Sequence, residues 1–307
     1  MAEIDTTRGI LRARAWFVYA ALLAIGGVFH VLCRLVPADL PFWMPWEFSW
    51  PEFLATFLAL AWFARGLAIL PTRPAVWRSV CFVLGVALDY AVLQTHIDYY
   101  AQHMFFVHRA AHFVLHHLGA FLIALGAAGP AIRAGMPDFL KPFLDARPLR
   151  RAVDVMQHPA VAPVLFVALL YFWLIPQIHT RVMLDANLYD LMNWTMAVNG
   201  IFFWSLILDP RPKPPARISS LMRALLILVI ELPQMVLGAI LSLSMTDYYP
   251  VYNICGRVFA MTALNDQHYG GLIIWLPGTL TSFAAMIAVL VVLRLNEERA
   301  EHARQTG

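Results

Sequence analysis

The 307-residue chain has little charge: only 13% of its residues are Asp, Glu, Lys or Arg, whereas 61% are hydrophobic. Soluble globular domains average about 25% charged residues and about 45–50% apolar residues, so this composition excludes a water-soluble protein. The net charge of +3 is too small to indicate nucleic acid as a partner. The few cysteines, Cys33, Cys81 and Cys255, exclude a disulfide framework and contain no Cys-x-x-Cys pair.

The common catalytic and nucleotide-binding motifs are also absent. The sequence has no Walker motif, no zincin motif, no Gly-rich dinucleotide loop and no serine-hydrolase elbow. No residue pattern indicates a nucleophile with its base, so a non-enzymatic role is the favoured interpretation.

Long apolar segments dominate the chain. A membrane-spanning helix needs about 20 mostly apolar residues. Such runs become helices because every backbone polar group must be satisfied internally in lipid. Eight segments qualify: 15–36, 50–70, 77–95, 104–127, 160–179, 190–208, 221–245 and 270–294. The sequence therefore predicts an all-α integral membrane protein, a bundle of about eight transmembrane helices that forms a single domain over residues 1–307.

Basic residues are distributed unevenly around these segments. Arg8, Arg12 and Arg14 precede the first segment, and further arginines and lysines cluster in every second loop and after the last segment. Positively charged loops stay cytoplasmic, so we predict that both termini are cytoplasmic, which agrees with an even number of spans. The expected location is the inner membrane of a Gram-negative bacterium, within the lipid bilayer.

Histidines concentrate at one end of the predicted bundle. Six of the eleven lie within residues 94–119. His108, His112 and His116 follow i, i+4, i+8 spacing, which places them on one face of a helix. Polar side chains inside a bilayer are costly and indicate function. Two imidazoles one turn apart can also chelate one ion.

The histidine row predicts a metal site. His108 and His112 are the expected ligands, with His116 or His103 as a third donor. His117 is expected to turn away from the row as a structural residue. Two other interpretations stay open, namely a proton relay and histidines that serve only as interfacial polar groups.

Sulfur ligands are available on the same predicted side. Met192 and Met196 stand one helical turn apart. Imidazole suits copper, zinc, iron and nickel, and thioether donors shift the preference toward Cu(I), so copper is the expected metal. Haem is the alternative cofactor, held by imidazoles from different helices as axial ligands. A methionine in a membrane helix is, however, most often packing.

Four stretches carry a resemblance to a known family. Residues 108–129 contain the two histidines followed by a Leu- and Gly-rich helix, and residues 158–178 open with His-Pro and close with aromatic–x–x–Pro. Residues 191–212 contain Gly-x-x-Phe-Trp. The most specific stretch, residues 266–278, reads Asp-Gln-x-x-Gly-Gly-x-x-x-Trp-x-x-Gly. Together they resemble the CtaG family of cytochrome c oxidase assembly factors.

The resemblance implies a function and partners. It implies a helical membrane protein that helps to assemble cytochrome c oxidase by holding or delivering copper on the periplasmic side. The implied partners are the oxidase subunits and a periplasmic copper chaperone. His108 and His112 match the family's two histidines, whereas Arg109 and Phe113 stand where the family pattern has methionine.

Asp266 and Gln267 precede two glycines, which let a helix pack closely against a neighbour. We expect this pair to hydrogen-bond to a ligand histidine or to a loop backbone at the outer rim. Two alternatives to copper delivery stay open. One is a membrane redox protein that binds haem or another metal through the histidine cluster, and the other is a metal-free scaffold for oxidase subunits.

Overall fold

The chain is helical throughout the described range. The computed structural model describes residues 2–306, without the side chains of residues 2–15, 255, 300, 303 and 306. Across this range the only extended pairing is one isolated bridge between Pro45 and Thr95. The helices, in chain order, are α1 (Ala2–Leu35), a 3-10 turn (Pro37–Asp39), α2 (Trp50–Ile69), α3 (Val76–Gln94), α4 (His96–His103), α5 (Phe105–Phe113), a π-helical turn (Val114–Leu118), α6 (Gly119–Gly126), α7 (Gly129–Gly135), α8 (Lys141–Leu144), α9 (Arg147–Met156), α10 (Val161–Leu174), α11 (Pro176–Met183), α12 (Ala186–Ile207), α13 (Ser220–Leu243), α14 (Val251–Cys255) and α15 (Ala263–Thr306).

Six helices within residues 2–306 are long and apolar enough to cross a membrane, or up to seven if the bent pair α9–α10 is one span. The six are Trp16–Leu35, Trp50–Ile69, Val76–Gln94, Phe105–Gly126, Ser220–Leu243 and Ala263–Arg299. They coincide with six of the eight predicted segments. The all-α, multi-pass architecture is therefore confirmed, but the count of eight is not.

The two remaining segments differ for separate physical reasons. Segment 160–179 breaks where α10 ends and Pro176 begins α11, because proline cannot continue the hydrogen bonds of a preceding helix. Segment 190–208 forms α12, which is long enough to cross a membrane at about 33 Å for a rise of 1.5 Å per residue. Its buried polar residues, such as Asn193 and Asn199, reduce its hydropathy.

The α9–α10 corner bends by 77°. Helix α9 carries its arginines and its apolar residues on opposite faces, which is typical of a helix that lies in the plane of the membrane interface. Just before it, Asp145 pairs with Arg133 at 2.6 Å and with Arg150 at 2.8 Å. These hydrogen bonds lower the pKa of Asp145 to about 2.

The orientation of the bundle stays a prediction from the arginine distribution. Arg8, Arg12 and Arg14, on which it partly rests, have side chains outside the described residues. Below, "outer" refers to the end of the bundle that we predict to face the periplasm.

The histidine-rich span lies at the centre of the bundle. Within the candidate span Phe105–Gly126, 61% of the most apolar window is buried, against 6% for Trp16–Leu35. Two apolar clusters flank the central span, one around Trp204 and the other around Met192 and Met196. The histidines are thus enclosed by protein rather than exposed to lipid, as intramembrane polar groups usually are.

Candidate functional site

The helix that carries His108 begins at a break in the chain. Met104 adopts an extended conformation and ends α4. The N–H groups of Phe105 and Phe106 donate to the carboxylate of Asp266 at 3.1 and 2.8 Å. This carboxylate caps α5 from the start of α15 and supplies negative charge where the helix dipole favours it. The cap fixes the position of His108 one turn into the helix.

Asp266 and Gln267 hold the outer rim through backbone groups and one arginine. Asp266 is fully buried and pairs with Arg257 Nε at 3.0 Å. Gln267 accepts from the Tyr248 N–H at 2.8 Å and donates to the Thr246 carbonyl at 3.0 Å. Within the described part of the chain, neither side chain hydrogen-bonds to a histidine.

A π-helical turn, Val114–Leu118, follows α5 and changes the direction of the next side chains. The carbonyl of His116 accepts from Trp204 Nε1 at 3.1 Å. Gly200 permits this approach, since a Cβ there would lie 2.6 Å from the same carbonyl oxygen. His116 and His117 are both buried, with ring centroids 5.3 Å apart. His117 contacts the side chain of Gln234 on α13, whereas His112 and His116 hydrogen-bond to asparagines of α12, and the structural role of His117 stays a prediction.

His108 and His112 are brought together, with ring centroids 4.4 Å apart, and both are buried. Neither nitrogen of His108 has a partner that meets hydrogen-bond geometry among the described residues, although the backbone of Ala101 lies near the ring. His179 lies 5.2 Å from His108 between ring centroids, but both nitrogens of His179 are hydrogen-bonded elsewhere. Of the histidines in the row, His108 therefore has the fewest hydrogen bonds to the rest of the protein.

Two asparagines of α12 fix the tautomers of the deeper histidines. His112 Nε2 lies 3.0 Å from Asn193 Oδ1, and His116 Nε2 lies 3.2 Å from Asn199 Oδ1. Because an amide oxygen only accepts, each imidazole donates from Nε2 and keeps a bare lone pair on Nδ1. Both Nδ1 atoms are buried without a partner in the described residues. Metal-ligating histidines are held in this way, with the second nitrogen donating to a neighbouring group.

The fourth predicted ligand, His103, lies apart on α4. Its Nδ1 donates to the Tyr99 carbonyl at 2.8 Å, and its ring packs on the Tyr99 ring with centroids 4.3 Å apart. No contact of His103 with His108 or His112 is found among the described side chains. His103 is half-buried on α4 and lies outside the buried row.

A cavity of about 20 Å³, which we call the inner cavity, lies against the buried histidines. A cavity of this size holds one water molecule or ion. Its polar and sulfur-containing lining consists of Arg109, His112, His116, His117, Met196 and Gln234. Most of these polar side chains have atoms without a hydrogen-bond partner among the described residues.

The inner cavity offers a small, mixed set of donors. Within residues 2–306, no group of three His, Cys, Asp or Glu side chains converges closely enough to hold a metal ion. The cavity is instead lined by the imidazoles of His112 and His116 together with Met196. Imidazole nitrogen with thioether sulfur is a combination that suits Cu(I).

A much larger cavity of about 610 Å³ opens beside α2, α4 and α12, and we call it the acidic vestibule. Its described lining includes carboxylates and no Lys, Arg or His. The carboxylates are Glu47, Glu52, Asp98, Asp185 and Asp190. Carboxylates in a cleft attract cations where they are ionised, and the absence of a basic residue from the described lining leaves no opposing positive charge there.

A chain of hydrogen bonds connects the acidic vestibule with the buried row. Asp98 accepts from the Tyr189 hydroxyl at 2.7 Å, and this hydroxyl also contacts the side chain of Asn193. Asn193 in turn holds His112. Burial raises the pKa of Asp98 to about 7. The vestibule therefore meets the histidines through Tyr189 and Asn193.

Sequence reasoning missed the partners of the histidines. Asn193 and Asn199 are polar residues in an apolar segment, and that signal could have identified them as functional candidates. Arg109 stood out only as a departure from the family pattern. Tyr189 gave no signal, because a tyrosine near a membrane interface is common.

Fold and site together define a class: a multi-pass helical membrane protein with a buried polar centre rich in histidine. The sequence profile of the cytochrome c oxidase caa3 assembly factor family (Caa3_CtaG) matches residues 58–294. The chain belongs to this family, and the resemblance found in its motifs is confirmed.

Two curated relatives come from mycobacteria. They are uncharacterized protein Mb0105 of Mycobacterium bovis and uncharacterized protein MT0111 of Mycobacterium tuberculosis, each 26% identical to this chain over 262 residues. The alignment covers 80% of this chain and 38% of each relative, so the chain spans less than two fifths of the relatives' length. No solved structure matches this chain significantly.

Proposed function

We propose that this protein assists the assembly of cytochrome c oxidase by binding copper as Cu(I) and passing it on at the periplasmic side of the inner membrane. Oxidase subunits and a periplasmic copper chaperone are the partners of this activity. One observation supports the proposal: His112 and His116, whose Nε2 atoms are held by Asn193 and Asn199, line the inner cavity together with Met196.

The acidic vestibule supports the capture of a cation. Its carboxylates attract cations, and its wall reaches Tyr189. The ring of His108 lies 5.8 Å from the Tyr189 ring and 4.4 Å from the His112 ring, measured between centroids. Since both nitrogens of His108 lack partners among the described residues, His108 is the first imidazole available to an incoming ion.

The donor set suits transfer rather than storage. Two nitrogens and one sulfur leave room for a further donor from a recipient, as catalytic metal sites leave one position open. Haem fits less well. The inner cavity of about 20 Å³ is far smaller than a porphyrin, and His112 and His116 come from one helical run.

The test is a Cu(I) titration of the purified full-length protein against a chromophoric chelator. We expect His112→Ala and His116→Ala each to weaken binding at least tenfold, and His103→Ala, the matched control, to leave it unchanged. Oxidase activity in cells at limiting copper should fall in the same order. Copper-free preparations with normal oxidase assembly would instead favour the metal-free scaffold, and a Soret band would favour haem.

A further inference from the structure

A cavity of about 550 Å³ opens between α1, α2 and residues 137–140, and we call it the Arg65 groove. Its described lining is aromatic, aliphatic or proline except for two charged residues, Arg65 and Asp138. The apolar wall includes Trp16, Leu58, Trp62, Phe139 and Leu140. Ligand sites in proteins typically have volumes of about 300–1,000 Å³ and apolar walls with a few polar groups, so the groove has the character of a ligand site.

The groove lies where two spans leave the apolar layer of the membrane. Trp16 begins the candidate span Trp16–Leu35, and Arg65 stands in the last turns of the candidate span Trp50–Ile69. Tryptophan and tyrosine are enriched at the membrane–water interface, and Trp16, Tyr19 and Trp62 all line the groove. Its mouth is therefore at the level of the lipid headgroups, at the end of the bundle that we predict to be cytoplasmic.

Helix α1 is held to the bundle by little protein contact at this level. Only 6% of the most apolar window of Trp16–Leu35 is buried. Trp62 Nε1 donates to the Tyr19 hydroxyl at 3.1 Å and so joins α1 to α2 beside the groove. Trp16 and Phe139 line the groove and are still 68% and 64% exposed. In a bilayer, the apolar body available to cover such side chains is the acyl chain of a lipid.

Arg65 supplies a positive charge to the same groove. Its half-buried side chain makes no hydrogen bond or ion pair with another residue in the described part of the chain. The acid of the lining, Asp138, is 91% exposed and pairs with Lys141 at 2.7 Å. A guanidinium presents parallel N–H donors that match the oxygens of a phosphate group. The polar end of the groove is therefore suited to an anion.

We propose that the Arg65 groove binds one anionic phospholipid, with an acyl chain along the apolar wall and the headgroup phosphate at Arg65. Basic pockets between membrane helices on the cytoplasmic side bind anionic headgroups. One lipid serves both parts of the groove. A free phosphate would leave the aromatic wall uncovered, whereas an apolar helix of a second copy would leave Arg65 without an acceptor. The bound lipid joins α1 to α2 and to residues 137–140.

The experiment is native mass spectrometry of the detergent-purified full chain with phosphatidylglycerol and phosphatidylcholine that carry identical acyl chains. We expect the wild type to retain phosphatidylglycerol roughly fivefold more strongly, which is the effect of one arginine near an anionic surface. Arg65→Met should lose this preference. Arg73→Met, which removes an exposed arginine at the same end of the bundle and outside the groove, should keep it.

Photolabelling of the wild type gives a measurement that does not depend on any variant folding. Phosphatidylglycerol with a diazirine on its acyl chain is illuminated with the protein in nanodiscs of phosphatidylcholine, and the labelled peptides are identified by mass spectrometry. We expect the label to concentrate on residues 58–62 and 137–140. Label spread evenly over the membrane-spanning helices would overturn the site. An Arg65→Met protein that keeps the preference for phosphatidylglycerol would overturn the headgroup contact.

Discussion

Asp266 accepts the backbone N–H of Phe105 at 3.1 Å across 161 residues of sequence. Gly270, four residues further along α15, allows the same contact, because a Cβ at Gly270 would lie 2.3 Å from the Phe105 ring. Helices α5 and α15 therefore pack closely at the start of α5. There, the Asp266 carboxylate caps α5, and Gly270 leaves space for the ring of Phe105. The position of His108 depends on this contact.

Replacing Asp266 should destabilise the bundle. Asp266→Ala removes a helix cap, worth about 1 kcal/mol, and leaves the largely buried Arg257 without its carboxylate. We expect the free energy of unfolding to fall by roughly 2–4 kcal/mol, measured by denaturant unfolding in detergent with tryptophan fluorescence. Asp145→Ala, which breaks exposed ion pairs, should change it little. An unaltered Asp266→Ala protein would show that the cap is not required.

Gly200 should tolerate no side chain. A Cβ there would overlap the carbonyl of His116, which must stay accessible to Trp204 Nε1. Gly200→Ala should therefore cost about 1–3 kcal/mol of stability. The matched control is Gly27→Ala, which meets nothing within 4 Å and should be neutral or stabilising by up to about 1 kcal/mol. Equal unfolding midpoints for both variants would contradict the close approach.

The sequence predicted the helical architecture because a long apolar run in lipid must satisfy its backbone hydrogen bonds internally, which a helix does. It did not predict the count of spans, because the apolar run 160–179 resembles one continuous helix although Pro176 breaks it, and the buried polar residues of α12 lower the hydropathy of that segment. The i, i+4 spacing correctly predicted that His108 and His112 lie close together. Spacing did not predict the π turn at Val114–Leu118, because helical periodicity assumes a regular helix.

Arg109→Met should stabilise the purified, copper-free protein. Replacing an unpaired buried charge by an apolar residue of similar volume is often neutral or stabilising by about 1–4 kcal/mol. Met also occupies this position in the family pattern that the sequence resembles. Thermal unfolding of the purified variant and wild type in the same buffer provides the measurement. A lower melting temperature than that of the wild type would mean that Arg109 has an essential structural partner.

Asp98 should make stability depend on pH. Burial raises its pKa from 3.8 to about 7, so between these values the folded protein holds a proton that the unfolded chain has lost. The free energy of unfolding should therefore decrease as pH rises from about 4 to about 7, and the full loss should persist above pH 7. Asp98→Asn, which is never charged, should lack this contribution. Identical pH profiles for the variant and the wild type would refute the shift.

The asparagines of α12 should control copper affinity without touching the ion. Asn193→Leu removes the acceptor that keeps the proton of His112 on Nε2, and Asn199→Leu does the same for His116. The imidazole is then free to carry its proton on Nδ1, the nitrogen that faces the inner cavity. Loss of such a supporting partner costs about 10–100-fold in metal affinity, and we expect that range for each variant.

A matched control separates this effect from general damage to α12. Asn187 lies on the same helix with an exposed side chain, so Asn187→Leu should leave Cu(I) affinity unchanged. Nitrogen NMR of histidine-labelled protein reads the tautomers directly. The wild type should show Nε2–H signals for His112 and His116, and each leucine variant should shift one of them. Full affinity in Asn193→Leu and Asn199→Leu, together with unchanged tautomers, would show that the cavity lone pairs are set by something other than these amides.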